Sequence, residues 1–158
     1  MSRVQDIINS RRTIYRFSDQ PVSEADLEIG FTAANNAPCH KHTFPWKFYV
    51  LGRKTREMLL DRVVELAQEK AEKKGEVDKD LAGKKAISKI RDVPVVIAVT
   101  TKLTPNDSFR EEEDFAATVC SLHNLVLSLW DLGIGSQWST GSITRDSSTY
   151  KHLQIDEQ

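Results

Sequence analysis

REEEDFAATVCSLHNLVLSLWDLGIGSQW, residues 110–138, is the stretch that decides the fold. Glu111, Glu112, Glu113 and Asp114 sit where the positive amino end of a helix dipole favours negative charge. Phe115, Ala116, Val119, Cys120, Leu122, Leu125, Val126, Leu129 and Trp130 follow. They cover nearly the whole circumference of a helix, which predicts one long buried helix over 110–132, shielded on most sides. Such a helix is either central to a domain or packed in a dimer interface. His123 falls inside it and is expected to be an interior polar group with its hydrogen bonds met. Gly133 stops the helix, and residues 134–138 are predicted to form a strand.

Upstream, Val93-Pro94-Val95-Val96-Ile97-Ala98-Val99 is almost entirely apolar, the pattern of a central strand buried on both faces with Pro94 near its start. Lys47-Phe48-Tyr49-Val50-Leu51, closed by Gly52, predicts a second strand. Between them, residues 55–74 read as a helix with Leu59, Leu60, Val63, Leu66 and Ala67 inward and Gly75 as its stop. Residues 69–89 are charged and poor in large apolar groups, and are expected to make a mobile helical excursion over the surface, a lid. Ser23 with Asp26 is a weak capping box for a helix through Leu27, Phe31 and Ala34 that ends at Asn35-Asn36-Ala37-Pro38. Val4, Ile7 and Ile8 share one face of a short opening helix ending near Asn9. Arg11-Arg12-Thr13-Ile14-Tyr15-Arg16-Phe17 then runs extended towards a turn at Ser18-Asp19-Gln20-Pro21. Helices and strands alternate, so the expected architecture is mixed, with a sheet between helical layers.

A chain of 158 residues suits a single domain. Its 22 basic and 23 acidic residues leave a net charge of −1, which removes any global attraction to nucleic acid or anionic lipid. A composition 39% hydrophobic and 28% charged excludes disordered and fibrous classes. Cys39 and Cys120 are too few for a disulfide scaffold and fit a reducing compartment. No apolar run reaches the roughly 18–20 residues of a membrane span, and the first residues lack the apolar stretch of a signal peptide. The expectation is a cytoplasmic protein with no nucleic-acid or membrane partner.

Arg11, Arg12 and Thr13 form a candidate anion site, two guanidiniums and a hydroxyl suited to charge-assisted bonds with phosphate; a solvated pair of surface charges would read the same. Ala37-Pro38-Cys39-His40-Lys41-His42-Thr43-Phe44-Pro45-Trp46 is a proline-fixed loop displaying two histidines and a lysine ahead of a strand. A metal set of Cys39, His40, His42 and His123 lacks any paired ligand spacing, so no metal is assigned. A Cys39/His40 dyad fails because neighbouring side chains in an extended loop point apart. Gly133-Ile134-Gly135-Ser136 mimics a dinucleotide fingerprint but lacks the third glycine and runs from helix to strand, the wrong order. Ser139-Thr140-Gly141-Ser142 is a small-residue turn whose amides can approach a flat ligand closely.

Taken in order, Arg-Arg-Thr-Ile-x-x-Phe-x-x-x-Pro-Val (Arg11 to Val22), Ala-Pro-x-x-x-x-x-Pro-Trp-x-Phe-x-Val (Ala37 to Val50) and Leu-Gly-Ile-Gly-Ser-x-Trp (Leu132 to Trp138) resemble the FMN-dependent nitroreductase family. The Ala-Pro-Cys-His-Lys loop and the Trp-Ser-Thr-Gly turn are most similar to its small, compact bacterial branch. The likeness runs from Val4 to Thr144. It implies an α+β fold, an α/β/α sandwich in which helices flank a central, mostly antiparallel sheet. It also implies a homodimer with two FMN sites at the subunit interface. Family members usually continue for some tens of residues past the point where this sequence stops. The expectation is therefore one nitroreductase-like domain over 1–158, without the usual C-terminal strand and tail.

By the same resemblance, Arg11 would hold the FMN phosphate, and Arg12 and Thr13 would contact the ribityl chain or the phosphate. Asn36 and His40 would reach the flavin from the other subunit. Trp138, Ser139 and Thr140 would line the isoalloxazine, with the amides of Thr140 and Gly141 facing its N5 and O4 edge. Tyr15 stands at the pyrimidine end, where many relatives carry Arg or Lys, so Lys41 or His40 would be the alternative cation there. The chemistry agrees: a phosphate dianion needs cations at one end, and a reducible ring needs hydrogen-bond donors along its edge. The implied activity is ping-pong electron transfer from NAD(P)H through FMN to nitroaromatic, quinone-like or related acceptors, with no catalytic side chain. Two other readings stay open: a non-catalytic or degenerate flavin-binding member, and an anion-binding interaction module built on Arg11, Arg12 and the histidine loop.

Overall fold

Side-chain caps and left-handed stops mark out the helices of the computed structural model, which describes residues 3–155. The order is α1 (Arg3–Ser10), α2 (Glu24–Asn35), a 3-10 turn (His40–His42), β1 (Trp46–Val50), α3 (Arg53–Lys73), α4 (Lys79–Arg91), β2 (Ile97–Thr101), α5 (Ser108–Asp131), a second 3-10 turn (Ser142–Arg145) and α6 (Ser147–Leu153). Ser23, Asp78, Asp107 and Asp146 accept from the amides of Asp26, Leu81, Arg110 and Ser148, covering donors that a helix start leaves open. At the other end of α5, Gly133 takes φ +79°, its N–H donates to Trp130 O, and the Ile134 N–H donates to Leu129 O. α3 closes the same way through Gly75, φ +69°, and Glu76. Both are Schellman closures, which favour glycine because a Cβ would strain that conformation.

The chain divides into two units. The first comprises residues 3–49 and 97–138 and holds α1, α2, the sheet and α5. β1 and β2 run antiparallel, with the Lys102 N–H donating to Pro45 O at one end and the Leu51 N–H to Val96 O at the other. α2 packs along α5, and Ala34, Leu125 and Leu129 form a core joined by Phe31, Phe48, Ile97, Leu122 and Ile134. The helices approach closely at Gly30, where a Cβ would come within 2.7 Å of Leu125 Cδ1. A second cluster gathers Ala37, Trp46 and Ala117, and Trp46 Nε1 donates to Asn35 Oδ1 at 3.0 Å.

The second unit comprises residues 50–96 and 139–155. α3 and α4 form a helical hairpin, close at Gly83 where a Cβ would stand 3.1 Å from Val64 Cγ1. The predicted surface excursion is thus the second arm of that hairpin. α3 buries Leu59, Leu60, Val63 and Ala71, whereas Leu66 and Ala67 are half-buried. Arg62 Nη2 meets Asp146 Oδ2 at 2.7 Å and ties α6 to α3.

The α+β fold with a small antiparallel sheet flanked by helices agrees with expectation, and three details differ. β2 begins at Ile97 rather than at Val93 and is half-buried throughout, because a two-stranded sheet has no central position to bury a strand on both faces. No strand forms over 134–138; the Schellman closure uses the Ile134 N–H, leaving a single parallel bridge between Thr13 and Ser136. α5 is buried on one arc only, through Asp114, Ala117, Thr118, Ser121, Leu125 and Leu129. Phe115, Ala116, Cys120 and His123 lie on the opposite arc and are exposed, so His123 is not the interior group predicted. No helix among the described residues is long and apolar enough to cross a membrane.

Candidate functional site

Three links draw the start of the chain onto the end of α5. The Arg3 guanidinium grips both carboxylate oxygens of Asp131 at 2.8–2.9 Å, and Trp130 Nε1 donates to Ser10 Oγ at 3.0 Å. The Ile14 N–H then donates to Ser136 O at 3.0 Å, closing the Thr13–Ser136 bridge. An exposed ion pair contributes little energy alone, so the bridge and the indole bond fix the register. Gly135 permits the approach: a Cβ there would lie 2.5 Å from Ile14 Cγ1.

This brings Arg11, Arg12 and Thr13 beside the Gly135–Trp138 segment. The Arg11 N–H extends the last turn of α1 to Ile7 O. The residue as a whole is half-buried, and its guanidinium has no hydrogen-bond or ion-pair partner among the described residues. Arg12 instead donates to Asn9 O and Arg11 O, both at 2.8 Å, so its head is engaged with its own chain. Tyr15 and Trp138 stand two residues beyond the bridge on the two bridged segments, and are 75% and 50% exposed. An unpaired cation and two open aromatic faces in one neighbourhood are a donor set suited to an anionic, flat ligand.

Asn36 caps α2 and is exposed, its Nδ2 donating to Thr32 O at 2.8 Å. His40 opens the 3-10 turn with Nδ1 3.9 Å from Glu113 Oε1. Lys41, His42 and Phe44 all take positive φ, 55°, 52° and 43°, unusual for residues other than glycine. Below them Thr43 Oγ1 donates to Asp114 Oδ1 at 2.7 Å, and Arg110 Nε stands 3.4 Å from Asp114 Oδ2. Sequence reasoning read Asp114 only as a charge for the helix dipole and passed over Thr43 and Arg110. The signal was there: Asp114 shares the period of Ala117, Thr118 and Ser121, the arc that faces inward.

Ser139, Thr140 and Gly141 belong to the second unit. Ser139 and Thr140 are exposed, and Gly141 O accepts from the Thr144 N–H and Oγ1 at the start of the second 3-10 turn. That turn leads to Asp146, whose carboxylate accepts from Arg62 and from Ser148. Those bonds, Arg62 foremost, hold the Asp146 carboxyl down to about 2.

Comparison with known proteins identifies the family. A profile of the nitroreductase family matches residues 8–158. YfhC of Bacillus subtilis, named as an NAD(P)H nitroreductase, is 31% identical over 156 residues, covering 99% of this chain and 78% of its own. YdjA of Escherichia coli K12, similarly named, is 25% identical over 143 residues, covering 88% and 73%. Among solved structures, a nitroreductase-like family protein from Bacillus cereus superposes with a TM-score of 0.78 at 24% identity, over 99% of this chain and 80% of that one. An iodotyrosine deiodinase bound to FMN and 3-iodo-L-tyrosine gives 0.76 at 18% identity, over 98% and 82%. The fold, the order of the motifs and the span of the profile lead to one conclusion: this chain belongs to the nitroreductase family.

Proposed function

We propose that the chain is an FMN-dependent oxidoreductase that takes electrons from NAD(P)H and delivers them to nitroaromatic, quinone-like or related acceptors. Within its family we place it in the small, compact bacterial branch typified by YdjA, acting as one domain over 1–158 and as a homodimer. The observation that carries the reading is the Thr13–Ser136 bridge, which sets the unpaired Arg11 beside the segment leading to Trp138. The deiodinase that shares the fold binds FMN, and the relatives YfhC and YdjA are named for NAD(P)H.

In this reading Arg11 binds the phosphate through charge-assisted hydrogen bonds from its unpaired guanidinium. Thr13 adds a hydroxyl, and Arg12 serves the ribityl chain after releasing the carbonyls it now holds. Trp138 and Tyr15 cover the ring system. His40 and Asn36 act from the partner subunit. Bound FMN would supply the redox chemistry, accepting hydride from a nicotinamide and passing electrons on in a second half-reaction. The protein's part is to bind, orient and leave one face open, so no nucleophile or general base is required.

Absorbance tests this directly. The purified chain should show flavin bands, or acquire them with added FMN. NADH or NADPH should bleach them anaerobically, and a nitroaromatic or quinone should restore them. Flavin that binds but resists bleaching would mark a non-catalytic member. A chain that refuses FMN would leave only the anion-binding reading.

A further inference from the structure

The His40–Phe44 turn needs an explanation that its own residues do not supply. Lys41, His42 and Phe44 all sit in the left-handed region, where a Cβ is disfavoured, and none is glycine. Something beneath the turn must over-determine it. Thr43 has one hydroxyl proton and gives it to Asp114 Oδ1 at 2.7 Å. The 3.2 Å contact between Cys39 Sγ and Thr43 Oγ1 then takes the thiol proton, which a longer 3.8 Å contact to His40 O shares. Cys39 Sγ in turn accepts from the Phe44 N–H at 3.2 Å. A chain of three bonds thus runs from the backbone of the turn, through thiol and hydroxyl, to a carboxylate 3% exposed. Arg110 Nε flanks that carboxylate, and the Asp114 carbonyl accepts from Thr118, so the anchor is itself fixed on α5. Successive hydrogen bonds in such a chain polarise and strengthen one another.

We propose that Asp114 is a positioning residue: through Thr43 and Cys39 it holds the left-handed turn, and so sets where His40 stands in the cofactor site. The second half of that statement rests on the FMN reading above; the first does not. Asp114 touches neither ligand nor reacting atom and acts only through the turn.

The test uses the full chain, with Thr43→Val removing the central hydroxyl at constant shape and Thr43→Ser keeping it. Two quantities are measured: hydrogen exchange of the Phe44 amide by NMR without cofactor, and the FMN dissociation constant by fluorescence titration. In Thr43→Val the amide should exchange about tenfold faster and FMN should bind about tenfold more weakly, the weight of one hydrogen bond to a charged acceptor. Thr43→Ser should match wild type in both. Adding His42→Gly to Thr43→Val should recover part of the affinity, because glycine takes positive φ without strain. A general loss of stability would also speed the exchange of core amides such as Leu125, which a local loosening of the turn leaves at the wild-type rate. Unchanged exchange in Thr43→Val overturns the proposal, and faster exchange with unchanged FMN affinity overturns its second half. A wild-type chain that binds no FMN would sink the proposed function and the flavin half of this inference together. The exchange arm would still decide whether Asp114 holds the turn.

Discussion

Arg11 is a half-buried residue whose guanidinium has nothing among the described residues to neutralise it. With no partner to displace, its five N–H donors are open to charge-assisted bonds with an anion. Arg11→Ala should weaken FMN binding by about 1.5–3 kcal/mol, read by fluorescence titration, while the thermal midpoint stays near wild type. Equal affinity in the variant would remove Arg11 from the phosphate site. Gly135 acts at the same scale through space rather than charge. The atoms a methyl group would strike are Ile14 Cγ1 and Cβ, close to the backbone and unable to swing aside. Gly135→Ala should cost about 1–3 kcal/mol of stability by overpacking, measured by urea denaturation. It should also part Thr13 from Ser136, seen as faster exchange of the Ile14 amide. The anion-binding pattern at Arg11 was legible in the sequence, but its lack of a partner was not, since that depends on which side chains fold nearby.

The elements end where their residues require. Gly75 and Gly133 were readable as stops, and Ser23 as a cap, because those roles depend only on local backbone geometry. The link between α3 and α6 is of the other kind: Arg62 and Asp146 are 84 positions apart and pair through the fold. Asp146 falls from its ordinary 3.8 to about 2, chiefly through the Arg62 hydrogen bonds. Its folded value lies below its unfolded one, so the pair stabilises fully above pH 4 and the contribution is lost as pH falls through 2. Arg62→Met should therefore lower stability at neutral pH and flatten the acid limb between pH 4 and 2, compared by urea midpoints at several pH values. Parallel profiles for the two proteins would refute the assignment. The expected strand over 134–138 failed for a physical reason: a Schellman closure and a strand compete for the same Ile134 N–H, and the closure holds it.

At the scale of the whole molecule, the outer arc of α5 stands out. The all-round apolar pattern predicted burial on most sides, yet Phe109 and Phe115 remain 69% and 61% exposed in the single chain. Aromatic area of that size is costly to leave in water and is the usual material of subunit interfaces. With the proposed homodimer, Phe115→Lys should shift the protein from dimer to monomer in sedimentation velocity. FMN affinity should fall with it, since His40 and Asn36 are assigned to the partner's site. A dimer that persists unchanged would place the interface elsewhere.

The sequence by itself determined α1, α2, α3 and α5, the Ser23 cap, the Gly75 and Gly133 stops, two of the three expected strands and the order of motifs that marks the family. These follow from backbone preference and periodicity, which act over a few residues. Only the tertiary structure decided that Thr13 lies against Ser136, that Arg11 is left unpaired, and that Asp114 reaches Thr43 beneath the histidine turn. Thr13 and Ser136 are brought together by long-range packing, and no local pattern encodes which distant groups will meet. The exposed arc of α5 shows the same division. The period gave its apolar character, and only the fold revealed which side this chain leaves open.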